Sequence, residues 1–141
     1  MKNSFHNPTS TSPTLSIVIP FFNKKILTGK MIDSIIANKF TSWELLAIDD
    51  GSSQETLEYL KKYEVYDNIQ IIHRNIEPKG AQTCRNIGLQ KARGEYIVFF
   101  DSEGHYQQMM YVIFSILDNY VDVEVRTPSG RVDMVLRSVR L

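Results

Sequence analysis

Four short apolar runs, separated by segments of helical character, constrain this chain most. The runs are Leu15–Ile19 (LSIVI), Trp43–Ile48 (WELLAI), Ile69–His73 (IQIIH) and Glu95–Phe100 (EYIVFF). They are largely apolar along their length, as strands buried on both faces must be. After the first, Ile26, Leu27, Met31, Ile32, Ile35 and Ile36 form a helical stripe. After the second, Ser52 and Glu55 have capping-box spacing and predict a helix through about Lys62. After the third, a polar loop Arg74–Lys79 leads into Gly80–Arg93, where Ala81, Cys84, Gly88 and Ala92 share one helical face. Small residues there suit close packing on a sheet, and Gly94 stands where a helix C-cap glycine belongs. The order β-α-β-α-β-α-β predicts an α/β fold, a mostly parallel sheet of four strands with helices on both faces and right-handed crossovers.

The pattern changes at Gly104. Tyr106, Met109, Met110, Ile113 and Leu117 form a helical stripe, and Tyr120–Arg126 (YVDVEVR) then alternates apolar and charged residues. Thr127-Pro128-Ser129-Gly130 is a turn sequence, and Arg131–Arg137 puts Val132, Met134 and Leu136 on one side. This predicts a helix followed by an antiparallel β-hairpin with one wet face. The chain therefore divides into residues 1–14, a polar and disordered leader; 15–103, the α/β unit; and 104–141, a tail of different origin. The expected physical role of the tail is to cover apolar sheet surface.

Bulk properties remove several classes of function. A chain of 141 residues supports one core. Its 16 basic and 16 acidic residues balance, which argues against a general affinity for nucleic acid. The longest apolar run, Met109–Leu117, is far short of the roughly 20 residues of a bilayer span. The leader has no apolar signal-peptide core. The single Cys84 allows no internal disulfide, so the expected location is cytoplasmic.

Ligands of an open parallel sheet bind beyond the carboxyl ends of its strands. Three strand ends carry chemistry: Pro20-Phe21-Phe22-Asn23, Asp49-Asp50-Gly51-Ser52 and Asp101-Ser102-Glu103. Each has a bland reading as turn, cap, core or solvated loop, and Arg85 reads equally as a solvated helix residue. Together they fit a nucleoside diphosphate site. Asp50 can accept a hydrogen bond from a base imide N–H, and the Phe22 ring can flank the base. Glu103, with Asp101 nearby, can hold Mg²⁺ or Mn²⁺ against two phosphates. Arg85 can add a charge-assisted hydrogen bond.

LSIVIPFFN, DSIIANKFTSWELLAIDDGSSQET and KGAQTCRNIGLQKARGEYIVFFDSE, in this order and spacing, resemble the N-terminal half of family 2 glycosyltransferases of the Rossmann-like GT-A fold. The resemblance covers about Leu15 to Glu103. It implies that Pro20, Phe22, Asn23, Asp49, Asp50 and Arg85 bind the nucleotide, with Asp50 on the base. It implies that Asp101 and Glu103 form the metal-binding DxD motif, with Mn²⁺ or Mg²⁺ as cofactor. Phe22 stands where the family usually has Tyr, and Glu103 where it has Asp. The implied reaction is inverting transfer of a sugar from a nucleotide diphosphosugar, a UDP-sugar first of all, to an acceptor hydroxyl. Family acceptors are glycans or lipid-linked molecules, which adds a peripheral membrane association to the expected location.

Only 38 residues follow Glu103. They do not resemble the half that carries the family's acceptor site and general base, so a truncated GT-A unit is expected, with no catalytic base assigned. The segment EGHYQQMMYVIFSILDNYVDVEVRTPSGRVDMVLR resembles instead the start of a PD-(D/E)XK nuclease-like domain, with Asp133 at its first metal-binding position. No (D/E)-x-K follows, which predicts no nuclease activity. The junction near Glu103–His105 suggests a fused, truncated or engineered chain. Two alternatives to a glycosyltransferase stay open: a non-catalytic, self-associating structural protein that forms homo-oligomers, and a nuclease-related module.

Overall fold

The computed structural model describes residues 13–38, 41–100, 125–127 and 130–136. Strands β1 (Leu15–Phe21), β2 (Trp43–Asp49), β3 (Ile69–His73) and β4 (Tyr96–Phe99) are parallel to one another. Two further strands, β5 (Val125–Thr127) and β6 (Gly130–Leu136), form an antiparallel hairpin. Strand β6 then pairs antiparallel with β4, so one six-stranded sheet runs β3-β2-β1-β4-β6-β5. The predicted hairpin is present, but it extends the sheet edge at β4, placing Asp133 opposite Phe99. The expected helix between β4 and β5 falls on residues outside those described. Among the described residues no helix is long and apolar enough to cross a membrane.

Helices lie on both faces, as the alternation predicts. On one face, Met31, Ile32 and Ile35 of α1 (Lys25–Ile36) and Leu60 of α2 (Gln54–Leu60) pack against Leu15, Ile17, Ile19 and Leu45 of the sheet. On the other, Cys84 of α3 (Ala81–Lys91), with Ala92 just beyond it, packs against Val18, Leu46, Ile48 and Ile97. Residues of opposite parity on β1 thus feed two separate cores, which explains why its run is apolar throughout. The small-residue face of α3 has a steric cause at Gly88, which lies directly over Val18.

Local chemistry departs from expectation in two places. The N-cap of α2 is Ser53, whose hydroxyl accepts from Thr56 N–H at 3.3 Å. Ser52 is taken up one residue earlier, its hydroxyl accepting from Asn23 N–H at 2.7 Å. The helix tightens into a 3₁₀ turn over Lys61–Val65. Gly94 is no C-cap, because the chain is already extended at Ala92. A Cβ on Gly94 would sit 2.6 Å from both Ser16 N and Ser16 Oγ, so the requirement for glycine is close backbone approach. Its N–H donates to Ser16 Oγ, which donates to the buried Glu44 carboxylate; Glu44 also accepts from Arg93 N–H and Nε. This network ties the amino ends of β1 and β2 to the turn before β4.

Tyr63 closes the α1–α2 layer. Its buried hydroxyl proton is shared between Gly29 O at 3.0 Å and Asp33 Oδ1 at 2.8 Å. Burial, then the Asp33 hydrogen bond and charge, raise the phenol's pKa well above its ordinary value. A raised folded pKa means that the neutral phenol stabilises in full below the unfolded pKa of about 10, and less as pH rises beyond it. Tyr63→Phe is expected to cost about 1 kcal/mol at neutral pH. In denaturation series the gap to wild type should close above about pH 10. A gap unchanged up to strongly alkaline pH would refute the network.

Candidate functional site

The carboxyl edge of the sheet gathers the predicted residues through register. Phe21 lies beside Asp49, and Asp49 beside His73. Strand β1 stays paired with β2 to its end, but its last pair with β4 is Val18–Phe99. Pro20 falls beyond that pair while staying in register with Ile48 of β2. Phe100 N–H still donates to Val18 O at 2.9 Å, so β1 and β4 run together to the last described residue of this segment. Helices α1 and α2 lie on one face of the sheet and α3 on the other, and the strand order passes from β1 to β4 here, making this the topological switch point of the sheet.

Phe22 follows β1 directly and is 56% exposed. Asn23 and Lys24 both adopt the left-handed conformation, each with φ of 54°. Asn tolerates it readily and Lys does not. Cross-links between the two loops hold the turn in place: Asn23 N–H donates to Ser52 Oγ, and Asn23 Oδ1 accepts from Ser53 N–H at 2.9 Å. Asp49 is buried and its Oδ1 accepts from Ser52 N–H at 2.8 Å. The His73 imidazole lies 3.5 Å from its other oxygen. Asn23 and Asp49 thus act within the fold as braces of the edge. Beside them, Asn23–Leu27 and Ser53, Glu55 and Thr56 line an open cleft of about 540 Å³. The hydrogen bond and charge of Lys25 hold the Glu55 carboxyl below its usual range.

Asp50 is differently placed. Its Oδ1 accepts from Arg74 Nη1 at 2.6 Å and its Oδ2 from Gly80 N–H at 2.7 Å. Arg74 also donates through Nη2 to Ile76 O and Pro78 O. Both partners are largely buried, with side chains 7% and 13% exposed for Arg74 and Asp50. From sequence, Arg74 belongs to the polar loop Arg74–Lys79 and carries no role of its own. The signal available was its position one residue past β3, beside the Asp49-Asp50 pair at the neighbouring strand end.

Arg85 is half-buried in the second turn of α3. Its neighbour Cys84 is fully buried, and burial, then the Asp50 charge, push its thiol pKa up, which makes it a packing residue rather than a nucleophile. The expected metal ligands Asp101 and Glu103 lie outside the described residues. Among the described residues no group of three or more His, Cys, Asp or Glu is placed to hold a metal ion.

Comparison with known proteins gives this edge its context. The description "Glycosyl transferase family 2" matches residues 16–111, more than half of the chain. The chain belongs to glycosyltransferase family 2. The match runs past Glu103, through the first residues of the tail. A poly(ribitol-phosphate) beta-glucosyltransferase of Bacillus spizizenii is 33% identical over 94 residues, covering 64% of this chain and 15% of that relative. The structure of S. aureus TarS 1–349 in complex with UDP-GlcNAc superposes with a TM-score of 0.63 at 23% identity, over 75% of this chain and 31% of that one. The mannosyltransferase PcManGT from Pyrobaculum calidifontis, in complex with GDP-Man and Mn²⁺, superposes with a TM-score of 0.62 at 19% identity, over 86% and 38%. These structural neighbours establish the GT-A-like fold. The chain spans well under half the length of each of the three.

Proposed function

We propose that this chain binds a nucleotide diphosphosugar at the carboxyl edge, as the donor side of an inverting glycosyltransferase. One observation carries the reading: at the switch point of a family 2 sheet, the Asp50 carboxylate is held fixed by Arg74 and Gly80, and Asp50 N–H donates to Phe21 O at 2.9 Å, one residue before the exposed Phe22. Phe22 would stack on the base, and Asp50 would accept its imide N–H. Arg85 would approach the nucleotide from α3. Pro20, Asn23 and Asp49 would keep the edge in shape around it.

Support for a UDP- or GDP-linked donor comes from fold neighbours solved with UDP-GlcNAc and GDP-Man, and for a divalent cation from the Mn²⁺ in the second of them. The two carboxylates Asp101 and Glu103 are a donor set suited to Mg²⁺ or Mn²⁺, which prefer oxygen ligands. Such a cation, when bound, would stabilise the charge that develops on the diphosphate leaving group. The acceptor would be a glycan or lipid-linked hydroxyl, reached in the cytoplasm or at the membrane surface. The base that deprotonates it is not assigned to any residue of this chain.

Calorimetric titration with UDP, with and without Mn²⁺, tests the reading. Binding is expected, strengthened by Mn²⁺. Glu103→Ala is expected to remove the Mn²⁺-dependent gain, about tenfold or more, while leaving metal-free binding intact. No detectable binding of either UDP or GDP at millimolar concentration would overturn it.

A further inference from the structure

We propose that Arg74 is a positioning residue for base recognition, an inference that rests on the nucleotide-binding reading of Asp50. Three features of its surroundings lead there. The guanidinium is planar, always charged and donor-only, and here it is divided between two tasks. Nη1 holds Asp50 Oδ1 at 2.6 Å, while Nη2 holds Ile76 O at 3.0 Å and Pro78 O at 2.8 Å. The loop then returns to the same carboxylate, with Gly80 N–H on Oδ2 at 2.7 Å. Lys79 Nζ, inside the loop, bridges Asn75 Oδ1 at 2.9 Å and Asp50 O at 3.4 Å. The Asp50 carboxylate is therefore gripped from both ends of residues 74–80.

That grip has a consequence for recognition. Each carboxylate oxygen has two acceptor positions, and each spends one on the loop. With the plane of the carboxylate fixed, the directions of the remaining acceptor positions are fixed as well. A preset group that only accepts favours a base edge with an imide N–H, as in uracil or guanine. It disfavours cytosine, whose ring nitrogen is itself an acceptor, because two acceptors would face each other. Without Arg74 the carboxylate can turn about its side-chain torsions and the loop loses its anchor at Ile76 and Pro78. Both affinity and base preference should then fall. A loop staple with no part in recognition would change thermal stability alone.

The test is calorimetric titration of the whole chain with UDP and with CDP, for wild type, Arg74→Gln and Arg74→Lys, with thermal unfolding alongside. Wild type should prefer UDP at least about tenfold, a difference of one well-made hydrogen bond. Arg74→Gln should bind UDP about tenfold more weakly and show little preference. Arg74→Lys restores the charge beside Asp50 but cannot hold two loop carbonyls in a planar fork, so it should recover only part of each. If Arg74→Gln does not fold, Arg74→Lys alone decides. UDP preference kept at the wild-type value in the folded variants, whatever their melting temperature, overturns the positioning role. Equal binding of UDP and CDP by wild type also overturns it, while leaving nucleotide binding intact. Failure of wild type to bind any nucleoside diphosphate removes the underlying reading and this role with it.

Discussion

Gly88→Val is expected to lower stability by about 3 kcal/mol or more, and Gly88→Ala by up to about 2 kcal/mol. A Cβ at Gly88 would lie 2.9 Å from Val18 Cγ2 and 3.2 Å from Val18 Cβ, and closer still to Val18 Cγ1. Val18 is fully buried in the central strand, paired on both sides, so it has nowhere to move. Alanine would gain about 1 kcal/mol of helix propensity over glycine, which sets the sign of the test. If α3 does press on β1 at this point, overpacking of about 1–3 kcal/mol outweighs that gain. If it does not, Gly88→Ala is more stable than wild type. Val18→Ala removes the methyl groups at fault, so the double variant Val18→Ala/Gly88→Ala should be more stable than the sum of its parts allows. Urea denaturation of wild type and the four variants reads this directly. A drop for valine on the scale proposed is a large share of the roughly 5–15 kcal/mol that holds a domain folded.

The same glycine shows what the sequence made legible. Alternation of fully apolar runs with helical stripes is a long-range signal, and it led to the parallel order and the two helical layers. The small-residue face of the third helix led to close packing on the sheet, which Gly88 and Cys84 bear out. Signals that depend on a single hydrogen-bond partner were less legible. Ser52 and Ser53 are adjacent and equally good caps. Ser53 caps because Ser52 is needed at Asn23 N–H, a partner 29 residues away. Gly94 follows a helix at a distance that suits a cap, yet its requirement comes from Ser16, 78 residues away. In the site, acidic and aromatic residues at strand ends drew notice, and the cation that completes the Asp50 environment did not. Arg74 stands at the end of the third strand, and a rule applied equally to all four strand ends would have reached it. The hairpin was legible from its alternation and turn. That it adds to β4 was not, because its apolar positions show a buried face without naming the neighbouring strand.

Asp50→Ala is expected to do two things that a double variant separates. The Asp50–Arg74 pair is largely buried, and Arg74 and Gly80 N–H would lose the group that satisfies them. Removing one partner of such a pair costs about 3 kcal/mol of stability, because the other is left charged and undersolvated. Nucleotide binding should fall with it, by about a hundredfold, since the base loses its acceptor and the loop its anchor. Adding Arg74→Met removes the stranded charge and replaces it with an apolar chain of similar reach. Asp50→Ala/Arg74→Met should therefore recover much of the stability, in line with buried pairs that are replaced whole. It should recover none of the UDP binding. If UDP affinity returns with stability, Asp50 serves the fold alone, and the base is held elsewhere on the edge. If stability does not return, the pair contributes through the geometry of residues 74–80 rather than through its charge balance.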